Sequence, residues 1–128
     1  MARRPKFGEP VHVGRIYIGG KTREKADIPQ KALRAIAGRV AAIAGGMTAY
    51  DARGIYRSEA QPFVDEPSKV VETFVPATQS CKKFKAQMRD IGQKAAKEGL
   101  QESVGVVVEC YGHGVDAVFA TQRLKKKR

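Results

Sequence analysis

Three short segments of this chain gather side chains able to bind and polarise a ligand. They are Asp51 to Arg57 (DARGIYR), Glu66 to Val71 (EPSKVV) and Gln101 to Val104 (QESV). Arg53 and Arg57 lie four residues apart, so on a strand they share one face. A guanidinium grips carboxylate or phosphate through two parallel hydrogen bonds. Tyr56 can stack on a base or ring. Lys69 stands near the start of the next strand, within reach across a hairpin. Glu66, Gln101, Glu102 and Ser103 add acceptors and donors. These positions suit a pocket for an anionic or nucleotide-like small molecule. They equally suit an internal network in which Arg53 or Arg57 pairs with Asp51, Glu66 or Glu102 to fix the hairpin.

Other chemistry has less behind it. The two histidines, His12 and His113, are the available imidazole bases. His113 falls between two glycines, which suits an exposed turn more than a preorganised triad. His12 alternates within a strand and reads as a surface or interface residue. Asp51 with Glu66 or Glu102 could form an acid–base pair, although spacing alone does not place them together. Cys81 and Cys110 lack metal-ligand spacing and read as buried free thiols of a reducing compartment. The Gly19-Gly20-Lys21-Thr22-Arg23 segment resembles the end of a phosphate loop and could touch an anion, but it lacks the full glycine spacing. No cofactor and no metal are implied, and the balance leans away from an enzyme.

Charge points to the partner. The 128 residues carry a formal net charge of +11, against an ordinary hydrophobic content of 42%. Such a field attracts polyanions at long range. Arg3 and Arg4 lie in a basic start, and Lys125, Lys126, Lys127 and Arg128 in a basic end, both without apolar pattern. Lys82, Lys83, Lys85, Arg89, Lys94 and Lys97 cluster on a second helix. These residues predict contact with nucleic acid, mainly its backbone phosphates, which makes binding salt-dependent. A solvated lysine face is the plainer account of that helix. No apolar run approaches a membrane span, and no apolar core follows the basic N-terminus as in a secretion signal. The expected place is the cytoplasm.

The elements that must position these residues follow from periodicity. Val11 to Ile18 is β-prone and ends at a Gly-Gly turn signal. Asp27 and Pro29 open a helix whose stripe is Leu33, Ile36, Val40 and Ile43, closed by Gly45-Gly46. Thr48–Arg57 and Ser68–Val75 read as strands, with Pro62, Asp65 and Pro67 in the loop between them. Thr78 or Ser80 caps a second helix with Cys81, Phe84, Met88, Ile91 and Ala95 inward. Ser103 to Cys110 is a further strand, and Val115 to Ala120 a possible last one after a turn. The order β-α-β-β-α-β predicts an α+β, ferredoxin-like domain over residues 11–120, flanked by tails at 1–10 and 121–128. Two helices would cover one face of an antiparallel sheet. Val11, Val13 and Tyr17 have one parity in the first strand, Ile16 and Ile18 the other. A sheet apolar on both faces calls for a homodimer or higher oligomer to cover the open one.

The three site segments resemble, in content and order, the uncharacterised domain-of-unknown-function family 3574, over roughly residues 12–110. The resemblance implies a small βαββαβ protein and no particular activity. Tyr56 stands where that family more often has tryptophan, the family's export signal is absent, and the basic tails and basic second helix are additions. The sequence therefore predicts a non-catalytic basic protein that contacts nucleic acid through its second helix and tails. The alternatives are a sequestering pocket for a nucleotide-like anion, and an assembly or regulatory subunit docking on an acidic protein or ribonucleoprotein.

Overall fold

Alternation along the first strand sets the architecture. In β1 (Val11–Gly19), His12, Gly14, Ile16 and Ile18 are buried, while the residues between them are more open. The computed structural model describes residues 3–19, 29–56, 64–98 and 103–121; the side chains of 54–56, 64–66, 103 and 116–121 are not described. After β1 come α1 (Gln30–Ala44), β2 (Thr48–Tyr56), β3 (Val64–Pro76), α2 (Cys81–Glu98), β4 (Ser103–Cys110) and β5 (Gly114–Thr121). The five strands form one antiparallel sheet in the order β2-β3-β1-β4-β5. This is the expected α+β, ferredoxin-like arrangement, with the last strand added as a fifth.

The core lies between the helices and one sheet face. Ile36 and Val40 of α1 and Phe84, Met88 and Ile91 of α2 meet Ile16, Ile18, Val71, Val75, Val104, Val106 and Val108. Gly14 allows that approach. A Cβ there would stand 2.7 Å from Met88 Cε and 2.8 Å from Phe84 Cζ. Arg39 of α1 and Glu98 of α2 clasp the helices with two hydrogen bonds of 2.6 Å. The Arg39 guanidinium holds the Glu98 carboxyl below its ordinary range.

Local signals behave as their chemistry requires. α1 starts at Gln30 with Pro29 as its cap residue, and the proposed Asp27 cap lies outside the described residues. Gly45 closes α1 at φ 75°, its N–H donating to the Ala41 carbonyl at 2.7 Å. Of the two proposed caps for α2, Ser80 acts: its Oγ accepts from the Lys83 N–H at 3.2 Å. The turn into β5 uses Gly112 and Gly114, both at positive φ.

Four expectations change. β3 begins at Val64, so Asp65 and Pro67 belong to a strand rather than a loop. Pro67 pairs with Arg53 of β2 and falls just beyond Ser68, the last residue paired to β1, where a missing N–H is tolerated. Cys81 and Cys110 are not free thiols: the start of α2 and the end of β4 bring their Cα atoms to 6.0 Å, and a disulfide joins them. His12 is neither surface nor interface but 3% exposed. The N-terminal segment is not a free basic tail. Arg3 donates to both Glu9 carboxylate oxygens at 2.8 and 2.7 Å, and the Lys6 N–H donates to Glu9 Oε1 at 2.9 Å. Its backbone packs on Gly45, where a Cβ would sit 3.1 Å from Arg3 C. Among the described residues, no helix is long and apolar enough to cross a membrane.

Candidate functional site

The β2–β3 hairpin positions most of the residues singled out from sequence. Its ladder runs from Thr48 opposite Glu72 to Tyr56 opposite Val64. Asp51 faces Lys69, and the two form an ion pair. The internal network expected from sequence paired Asp51 with an arginine; the pair seen here is with Lys69, its direct cross-strand neighbour. Arg53 lies two residues further along β2, opposite Pro67. Glu66 pairs with Gly54, a residue with no side chain, and Tyr56 lies two positions beyond it.

Each side of this hairpin offers something to a ligand. On the helix side, a cleft of about 340 Å³ opens between α1 and the sheet edge. Leu33, Ala37 and Val71 give it an apolar floor, and Arg34, Asp51 and Lys69 a charged rim. On the other side, Ser68 is 6% exposed, and its buried hydroxyl has no hydrogen-bond partner among the described residues. A native buried hydroxyl in that state calls for an explanation, and a ligand that supplies the bond is one. Tyr17 and Tyr50 flank this end of the sheet through their pairing with Val70, and both are 41% exposed.

That open face carries a charged centre. Arg15 donates to Glu72 Oε2 and Glu109 Oε1, both at 2.6 Å, and these bonds raise its pKa. Around it stand Tyr17, Phe74 and Val115, all substantially exposed.

The sequence-based site is therefore partly assembled. Arg53, Lys69 and the backbones of Tyr56 and Glu66 share the hairpin. Ser103, opposite Thr121, begins β4 at the other side of the sheet, two strands from β3. Arg57, Gln101 and Glu102 lie outside the described residues, as do Gly20–Arg23 and Lys125–Arg128. Sequence reasoning missed Ser68 and Arg34. Placing Pro67 in a loop hid the alternation along β3 that makes Ser68 legible.

The cationic helix surface exists as a surface. Lys82, Lys83, Arg89, Lys94 and Lys97 are exposed and Lys85 half-buried, with Lys94 paired to Asp90 at 3.0 Å. Arg3 is committed to Glu9, and Arg4 lines a cleft beside Gly46 and Thr73.

No protein-family model and no curated protein matches the chain. Two solved structures share its fold. A phage SAM lyase in complex with S-methyl-5′-thioadenosine matches with a TM-score of 0.75 at 20% identity, covering 98% of this chain and all of that one. A phage SAM lyase in the apo state matches with a TM-score of 0.75 at 17% identity and the same coverage. These matches, at this identity, establish the fold. They also overturn the expectation of a non-catalytic nucleic-acid-binding protein acting through Lys82, Lys83, Lys85, Arg89, Lys94, Lys97 and the tails. Both matched structures are of a lyase, whereas the nucleic-acid expectation rests on charge alone, and a lysine-rich helix face is also simply what water solvates.

Proposed function

We infer that this protein is a small-molecule enzyme of the SAM-lyase type, with its site on the β2–β3 hairpin around Ser68, Glu66 and Tyr56. The observation that carries this reading is the fold shared across 98% of the chain with a lyase in complex with a methylthioadenosine. The hairpin supports it chemically. S-adenosylmethionine is a sulfonium cation bearing a nucleoside, so its site needs negative charge, aromatic surface and hydroxyl partners. Glu66, paired with Gly54 in the ladder, is the carboxylate of this strand end by residue type. Tyrosine faces attract such a cation. Ser68 offers its unpartnered hydroxyl.

A lyase on this substrate breaks the bond from sulfur to the amino-acid side chain. The electron pair stays on sulfur and leaves a neutral thioether, methylthioadenosine. The carbon fragment is completed either by attack of its own carboxylate, closing a lactone ring, or by loss of a proton to a base. In both routes the protein's part is to hold the sulfonium and the amino-acid arm in one orientation.

The test is incubation with S-adenosylmethionine and chromatographic detection of methylthioadenosine. Glu66→Gln and Tyr56→Phe are expected to lower turnover by about a hundredfold with the circular dichroism spectrum unchanged. Absence of both turnover and binding in the wild type rejects the reading. Arg34→Ala examines the rival location, the α1 cleft: a larger loss there than at Glu66 moves the site across the sheet. The exposed Tyr17, Phe74 and Val115 further support a second copy of the chain covering the open face. Native mass checks this.

A further inference from the structure

The disulfide has a third neighbour. One ring nitrogen of His12 and the sulfurs of Cys81 and Cys110 all lie within 4.8 Å of one another. The three residues come from the start of β1, the first turn of α2 and the end of β4. His12 and Cys110 are buried and Cys81 is half-buried. We propose that, once the disulfide is reduced, His12, Cys81 and Cys110 form a binding site for a thiophilic divalent cation of the zinc class.

Two hydrogen bonds fix the tautomer and orientation of the imidazole. The Tyr111 N–H donates to His12 Nδ1 at 3.0 Å, so Nδ1 carries the lone pair. The proton is then on Nε2, which donates to the Gln79 carbonyl at 2.9 Å. A ring N–H held by a backbone carbonyl is the usual orienting contact behind a metal-binding histidine. Binding exchanges the Tyr111 N–H for the cation at Nδ1. Cys81 is the first residue of α2, where free backbone N–H groups and the helix dipole favour thiolate. Two thiolates and one imidazole supply three corners of a tetrahedron and leave the fourth for an exogenous ligand.

Disulfide and metal are alternative occupants. Reduction takes two electrons from a thiol or phosphine donor and yields two thiols. Cation binding then releases two protons.

Cobalt(II) is the probe. The protein is reduced with a phosphine, freed of reductant and titrated without oxygen. The expected result is one cobalt per chain, with thiolate-to-metal charge-transfer absorption and tetrahedral visible bands, displaced by zinc. The oxidised protein gives neither. Cys110→Ser lowers the charge-transfer absorption by about half or more and weakens binding, and His12→Ala weakens binding by more than about tenfold. If His12→Ala does not fold, alkylation of the wild type decides: zinc must slow modification of both thiols. Reduced, folded protein without charge-transfer absorption overturns the proposal, as do unslowed alkylation and a His12 variant that binds like the wild type.

Discussion

Arg15 reaches Glu72 through Nε and Glu109 through Nη1, both at 2.6 Å, so one guanidinium ties together β3, β1 and β4 on the open face of the sheet. Arg15 and Glu72 are cross-strand partners, and Glu109 pairs with Val13, one diagonal step away. Arg15→Met removes both bonds and leaves two carboxylates beside an apolar stem. The expected loss is about 1–3 kcal/mol, in the range for hydrogen bonds to charged groups. Urea unfolding measures it, and an unchanged midpoint would mean that solvent already screens both contacts.

Gly14→Ala should destabilise the protein by about 1–3 kcal/mol through overpacking. The added methyl meets Met88 Cε and Phe84 Cζ, both buried, so α2 must shift or Phe84 must leave its rotamer. Thermal unfolding reads the loss. In a Met88→Ala background the cost of Gly14→Ala should be smaller, since the closer obstacle is gone.

The arm before β1 should loosen in acid. The Arg3 guanidinium and the Lys6 N–H hold the Glu9 carboxyl down to about 2, below its usual 4.5. A carboxyl depressed in the folded state stabilises fully above its unfolded value. That contribution is therefore complete above about pH 5 and is lost as the pH falls through about 2. Amide shifts of Gly8 followed by NMR should titrate in this window. Arg3→Ala should move the midpoint up toward the ordinary carboxylate range, and high salt should do so in part.

Reduction of Cys81–Cys110 opens a link across 29 residues. Loop-closure entropy predicts a loss of about 3–4 kcal/mol. His12 bridges the same two segments through Gln79 and Tyr111, so the reduced chain should stay folded at 25 °C. Adding His12→Ala to the reduced protein should cost more than it does in the oxidised one, because the imidazole then ties the two segments without the covalent link. Denaturant curves of the four states form the cycle that decides this.

Much of the hairpin was legible from its residues. Alternation placed β2 and gave Lys69 its cross-strand reach, and the cysteine-to-Ala95 stripe gave α2 its buried face. Ser68 was not legible. Its burial on the open face depends on Pro67 standing in a strand, and proline reads locally as a breaker unless the neighbouring strand is known to have ended. Charge misled for a similar reason: the count of lysines on α2 is a sequence property, but whether a partner uses them is not.

The chain by itself determined the element order, the two helical stripes and the two-faced sheet, because periodicities of 2 and 3.6 are local and each element must bury its own apolar side. Tertiary structure alone decided which charges meet. Asp51 took Lys69, Glu9 took Arg3, and Arg15 took Glu72 and Glu109, since ion pairs follow distance across register and not spacing along the chain. It also decided that Cys81, Cys110 and His12, drawn from three separate elements, share one buried corner. Sequence separation carries no information about that convergence; it follows from how α2 docks on β1 and β4.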